Sequence, residues 1–395
     1  MPRFFLADPT LTSVAGHMWG YLRSLVRPVE QLGFQPVLLG SWRAEAALRE
    51  KYGVAPVFEC WFDARYGAHQ ETFRYHRQSI RSDLRIVSRA YDIDNRDVLL
   101  INTLRQWSLA GVVDWLEALP EARRPLVVLV LHFTAFSYPE RASDILEFYQ
   151  QGFDRIERSP ARSRILLMAD TQELVDEFQQ INDRLTYVLA PIPHTQLRLP
   201  AAAAQRPVNL GYVGGVRENK GFHLLPHLVR RVTASEHAAN MHFHVHSYAW
   251  DPWIFYRKTL AQLVHPHVTL YPEPLDDSEY ERLMARLDVL VFPYLRQDYH
   301  AQTSGPFSEA MGQGKIVVAP RGTWLAKQIG KYGGGAVFNP GDAVDLANQV
   351  LAVLSARDTY VAQGPERAKR WCEFHNPEHF LRLVMDHAAG ASLAA

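Results

Sequence analysis

The sequence predicts an α/β protein made of two doubly wound, Rossmann-like halves that face each other across a central cleft. Three observations predict it. Short apolar runs alternate with amphipathic stretches along nearly the whole chain, which is the pattern of parallel strand–helix–strand units. At 395 residues the chain exceeds one ordinary hydrophobic core. The stretch from Leu197 to Pro207, rich in alanine and bounded by prolines, ends one periodic pattern and precedes another, as a linker does. The expected domains are 1–196 and 207–375.

The first half opens with a strand over Arg3–Ala7. A helix over Gly16–Leu32 follows, with Met18, Tyr21, Leu22, Leu25 and Val29 at helical spacing. Strands are expected at Gln35–Leu39, Val54–Glu59 and Val98–Asn102, with a long helix over Gln70–Tyr91 and another over Trp107–Leu119. Leu126–His132 is almost wholly apolar, as suits a strand buried on both faces. Arg164–Ala169 and Thr186–Ala190 complete the half. The second half repeats the alternation, with strands beginning at Val208, Met241, Val268, Val289, Ile316 and Ala336. A helix runs on to Leu354, and Asn376-Pro377 opens a last one.

Composition narrows the class. The chain is 47% hydrophobic and 21% charged, as soluble globular proteins are. The formal net charge is zero, so no global field recruits nucleic acid. Cys60 and Cys372 are far apart and lack metal-ligand spacing, which fits a reducing cytosol. No run is long and apolar enough for a signal peptide or a spanning helix. The expected location is cytoplasmic.

Two segments carry chemistry. The first runs from Tyr294 to Val318, where a buried strand leads into Thr303-Ser-Gly-Pro306 and then a helix. Amides at a helix start carry partial positive charge and attract phosphate. Pro306 suits the first helical position, leaving Ser304, Gly305, Phe307 and Ser308 as donors. Glu309, expected in the first turn, suits hydroxyls such as a ribose diol. Phosphate and diol together describe a nucleotide; an ordinary strand–turn–helix corner would use the same residues. The second segment, Val208 to Leu225, is a strand, the pair Gly214-Gly215, the cations Arg217 and Lys220, and a helix. The glycines let a backbone approach a ligand closely. The cations would neutralise charge developing on a diphosphate leaving group, although charged loops are also common on solvated surfaces.

On these residues the chain resembles retaining glycosyltransferases of the GT-B fold, family 4 above all. That family carries a strand–Gly–x–x–x–x–Lys–Gly segment. It also carries a Glu–x7–Glu segment followed by a small-residue turn and a Lys-Pro-Val-Val-like strand. Lys220-Gly221 and Glu309-Ala310 fall on matching positions. Two positions depart: the first Glu of the pair is Ala301, and the usual Arg five residues before the Lys is Gly215. The resemblance implies a metal-independent hexosyltransferase without a bound cofactor, and retention of anomeric configuration. It implies that His132 lies near the donor sugar, and that the helix over 376–390 returns to the N-terminal domain. Trp371 and Phe380 then serve packing. A nucleotide-sugar-binding protein without turnover, and a GT-B phosphorylase or epimerase, remain alternatives. A dinucleotide-dependent oxidoreductase is weak, since no Gly-x-Gly-x-x-Gly follows the first strand.

The N-terminal half is expected to hold the acceptor, through Gly16 and His17 after the first strand, with Asp170-Thr171 at another strand end. Donor contacts are expected from Gly214, Gly215, Arg217, Lys220, Thr303, Ser304, Gly305, Phe307 and Glu309. The chemistry is expected from His132, Arg217 and Lys220. His242, His244 and His246 alternate along one strand and read as its polar face rather than a metal site. Arg74, Arg77, Arg81, Arg85 and Arg89 recur at intervals of three and four on the long helix. Such a stripe is either a solvated face or a contact for anionic lipid head groups or a diphosphate-linked acceptor.

Overall fold

The computed structural model of the chain describes residues 1–14, 16–59, 69–135, 142–198, 207–249 and 255–393. Two compact units emerge, Met1–His194 with His375–Ala395, and Thr195–Phe374. Residues 199–206 of the expected linker lie outside the described residues.

The described residues of the first unit form a seven-stranded parallel sheet. Its strands are β1 (Arg3–Ala7), β2 (Gln35–Ser41), β3 (Ala55–Phe58), β4 (Val98–Ile101), β5 (Leu126–Leu131), β6 (Ile165–Ala169) and β7 (Tyr187–Leu189). They lie in the order β3-β2-β1-β4-β5-β6-β7. Every residue of β4, β5 and β6 is buried, which is why their sequences read as unbroken apolar runs. The His17–Gln31 helix turns Tyr21, Leu22, Leu25 and Val29 into a core that also holds Phe4, Leu100, Val128 and Met168. Phe380, Leu381 and Val384 of the Pro377–Leu393 helix join the same core.

The second unit holds β8 (Val208–Tyr212), β9 (Met241–His246), β10 (Val268–Tyr271), β11 (Val289–Val291), β12 (Ile316–Pro320) and β13 (Gly335–Phe338). They are parallel, in the order β10-β9-β8-β11-β12-β13. In each sheet the order reverses beside the first strand, between β1 and β4 and between β8 and β11. Doubly wound sheets bind ligands outside the carboxyl ends of the strands at such a reversal. Thus the topology alone selects the loops after Ala7, Ile101, Tyr212 and Val291.

Several boundaries differ from expectation for local reasons. The helix expected from Trp107 begins at Leu109, because Gln106–Ser108 forms a tighter turn first. Pro306 is the second residue of its helix, which starts at Gly305. Lys315 stays outside β12 and is buried, its ammonium donating to the Ala285 and Leu287 carbonyls at 3.2 and 2.6 Å. It thereby caps the end of the Asp277–Arg286 helix.

Trp371 is fully buried and packs edge-on against Phe307, Trp324 and Tyr332. This cluster ties the Arg357–Phe374 helix to the Gly305–Gly312 helix. Trp371→Ala should destabilise the second unit by about 3–5 kcal/mol, measured by chemical denaturation.

Candidate active site

The second unit builds its crevice from two loops at the β8/β11 reversal. After β8 the chain turns through Gly214 and Gly215, and the Tyr212 hydroxyl donates to the Gly215 carbonyl at 2.7 Å. Gly215 has φ +67°, and a Cβ there would stand 2.9 Å from the Tyr248 carbonyl oxygen. The arginine found here in the resembled family would be strained in this chain. Its nearest charge equivalent, Arg217, is exposed two residues on. Gly221 also has φ +67°, and its α-carbon sits so close to Pro293 that a Cβ would meet the carbonyl oxygen at 1.7 Å. Leu295 N–H donates to the Asn219 carbonyl at 2.8 Å. The Glu218–Lys220 turn is thus seated on the loop after β11.

That seating fixes Lys220. Its ammonium lies 5.4 Å from the Tyr294 ring centroid, and a Cβ on Gly214 would stand only 3.5 Å from it. Desolvation, together with the Arg217 charge, pulls the Lys220 amine down to about 7. The Tyr294 hydroxyl in turn lies 3.4 Å from Ser304 Oγ, at the cap of the Gly305–Gly312 helix. Lysine, ring and helix start therefore form one contiguous wall.

The helix start offers fewer amides than the sequence suggested. Ser308 N–H is spent on the Ser304 carbonyl at 2.9 Å, and Phe307 N–H points to Ser304 Oγ at 3.4 Å. Gly305 N–H precedes the first intrahelical bond, and the half-buried Thr303 stands just before the cap. Glu309 is the fifth helical residue, so it is not in the first turn as expected. Its carboxyl is half-buried and accepts from the Tyr280 hydroxyl at 2.8 Å, while burial pushes it up to about 7. Tyr280 occupies Oε2 and leaves Oε1 to another donor. Ala301 is fully buried, so a glutamate there would have no room in the present packing. The aromatic residues Trp19, Tyr294 and Tyr299 are buried in the packing.

The β9 histidines serve the sheet. His242 bonds Thr269 Oγ1 at 2.7 Å, and His244 bridges the Tyr271 hydroxyl and Asn209 Oδ1, both at 2.9 Å. Beyond them, His246 Nε2 and Ser247 Oγ are buried without a hydrogen-bond partner among the described residues. Burial and the nearby Lys220 hold His246 at about 4. Sequence reading had no signal for this pair, since it placed all three histidines in one class.

In the first unit the β1/β4 reversal holds a chain of buried polar groups. Asp8, at the end of β1, accepts from Thr10, from Asn102 Nδ2 and from Thr103 Oγ1, the last two at 2.8 Å. Burial nevertheless raises its pKa. With its amide nitrogen turned to Asp8, Asn102 presents Oδ1 to His132 Nε2 at 2.7 Å. His132 Nδ1 meets Asp170 Oδ2 at 2.8 Å. Both ring nitrogens are therefore held by protein groups. The Tyr21 hydroxyl and both ring nitrogens of His194 are buried nearby without a partner among the described residues. Burial and the adjacent His132 bring His194 down to about 4. Tyr21 was read only as a core residue, and His194 was not singled out. Gly16 has φ +108°, so a left-handed turn requires it, with no close contact. His17 opens the helix, but its side chain lies outside the described residues. Arg105, also missed, stacks its guanidinium 3.8 Å from the Phe133 ring centroid.

Comparison with known proteins places this architecture. Residues 207–356 match the family model "Glycosyl transferases group 1". Among curated proteins, no sequence matches the chain. Sucrose-phosphate synthase from Thermosynechococcus elongatus superposes with a TM-score of 0.72 at 14% identity, covering 100% of both chains. HepE of Anabaena in complex with UDP gives 0.67 at 14% identity, covering 99% of this chain and 100% of that one. A putative UDP-N-acetylglucosamine 2-epimerase from Listeria monocytogenes gives 0.61 at 12% identity, covering 98% and 95%. The fold is that of the GT-B glycosyltransferases. Residues 207–356 are thus similar to the glycosyl transferases of group 1.

The Gly221–Pro293 approach has a direct test. Gly221→Ala must relieve both a positive φ and a backbone clash, so it should cost at least about 2 kcal/mol by urea unfolding. Gly53→Ala shares the positive φ but meets nothing, and should cost less.

Proposed function

We propose that this chain is a retaining hexosyltransferase. It moves a sugar from a nucleoside diphosphate sugar to a hydroxyl of a glycan, a lipid-linked or a small-molecule acceptor. The observation that carries the reading is the shared wall of Lys220, Tyr294 and Ser304. It sets one cation and one helix start at the same strand reversal, as a diphosphate requires. The solved HepE complexes with UDP and UDP-glucose support it by likeness of fold.

In this mechanism Gly305 N–H, Thr303 and Ser304 hold the phosphates, with Gly214, Gly215 and Phe307 shaping the wall. Glu309 accepts from the ribose hydroxyls through the oxygen that Tyr280 leaves open. Lys220 and the exposed Arg217 neutralise the diphosphate as the glycosidic bond breaks. Front-face attack follows, and the leaving phosphate takes the acceptor's proton. We assign acceptor recognition to the first unit, through Gly16, His17 and the buried polar atoms of Tyr21 and His194, which have no partner among the described residues. His132, clamped by Asn102 and Asp170, supplies a fixed ring edge. No metal ion or cofactor enters the scheme.

A second reading, a nucleotide-sugar-binding protein without turnover, is favoured by Ala301 and Gly215. Turnover of a nucleotide sugar by the purified chain, lost in Lys220→Ala and Glu309→Ala, excludes it. A product assay with and without acceptor separates transfer from phosphorolysis or epimerisation.

The Lys220 amine near 7 gives a signed prediction. A diphosphate favours the ammonium, so binding should take up protons above pH 7, and affinity should fall as pH rises from 7 to 9. Lys220→Gln should bind at least tenfold more weakly at pH 7 and lose that pH dependence. Calorimetry in buffers of different ionisation enthalpy reads both, using a panel of nucleoside diphosphates. Unchanged proton uptake in the variant would remove Lys220 from the phosphate site.

A further inference from the structure

The long helix of the first unit, His69–Tyr91, carries an exposed basic face that the catalytic reading does not use. The structure sorts the five arginines of the sequence stripe. Arg77 leaves the face: its guanidinium makes a bidentate pair with Asp114, at 2.6 and 3.0 Å, in a network that includes Arg155 and Glu117. Arg74, Arg81, Arg85 and Arg89 are exposed, and none has an ion pair or hydrogen bond among the described residues. Helical geometry puts these four within about a quarter-turn of one another, over roughly 22 Å of helix.

Counter-charge is scarce there. The helix has two carboxylates, Glu71 and Asp83. Asp83 is buried and accepts from Glu59 N–H at 3.1 Å, so only Glu71, at the helix start, is exposed. The chain as a whole is neutral, so this is local segregation of charge rather than a generally basic surface. Along one flank the apolar side chains of Tyr75 and Ile86 stand 42% and 57% exposed. The opposite face, with Phe73, Ile80, Leu84 and Val87, is buried. A straight row of exposed arginines beside exposed apolar groups matches a flat, anionic, partly apolar surface. Among the described residues no helix is long and apolar enough to cross a membrane, so such a contact lies in the plane of the surface.

We propose that this helix docks the protein on a bilayer of anionic phospholipid, with Arg74, Arg81, Arg85 and Arg89 on the headgroups and Tyr75 and Ile86 at the acyl boundary. The surface is independent of the nucleotide crevice, which lies in the other unit. Co-sedimentation of the full chain with phosphatidylcholine vesicles, with and without phosphatidylglycerol, tests it. The account expects binding only to the anionic vesicles, weakened by salt. Each arginine contributes about fivefold at such a surface, so the combined Arg74→Gln, Arg81→Gln, Arg85→Gln and Arg89→Gln variant should bind on the order of 10²–10³-fold more weakly. Its unfolding midpoint and nucleoside diphosphate affinity should not change. A matched variant, Arg230→Gln, Arg231→Gln, Arg257→Gln and Lys258→Gln, removes exposed cations from the second unit and should bind vesicles normally. Equal binding to both vesicle types, equal loss in the two variants, or binding to heparin without binding to vesicles would each overturn the proposal.

Discussion

The close approach of Gly221 to the Pro293 carbonyl is the constraint from which the crevice of the second unit follows. Only a residue without a side chain, in a left-handed conformation, lets the turn after β8 sit on the loop after β11. Once seated, the turn places the Lys220 amine against Gly214 and over the Tyr294 ring. Tyr294 then links it to the Ser304 cap. The same enclosure that positions the amine removes its water, which brings it to about 7. Position and tuned basicity are consequences of one contact.

The first unit solves a similar topological problem with different chemistry. Among the described residues its strand reversal carries no glycine pair and no lysine. Asp8, Asn102, His132 and Asp170 instead form a hydrogen-bonded chain in which each member fixes the next. Such a chain orients an imidazole firmly but leaves it no spare nitrogen. Beside it lie the Tyr21 hydroxyl and the His194 ring nitrogens, which have no partner among the described residues and hydrogen-bonding capacity still to offer.

Much of this was legible in the sequence. The strands β4, β5 and β6 announced themselves as apolar runs, because strands covered on both faces need no polar alternation. The Lys220 and Ser304 segments were found for a physical reason too: glycines, cations and a helix start are signals that neighbours in sequence share. What stayed hidden depended on neighbours distant in sequence. Tyr280 is 29 residues from the carboxylate it holds, and Asp114 lies 37 residues from the Arg77 it withdraws from the basic stripe. The amide bookkeeping at Ser308 and the true helical position of Glu309 were missed for a smaller reason. Moving a helix start by one residue reassigns every donor and acceptor in its first turn.

The central claim is that a single diphosphate is bound by the Lys220 amine and the start of the Gly305–Gly312 helix together. A crystal structure of the protein with a bound nucleoside diphosphate tests this most directly. The account predicts phosphate oxygens within hydrogen-bond distance of both Lys220 Nζ and Gly305 N, with the ribose on Glu309. A nucleotide whose phosphates touch neither group would contradict it.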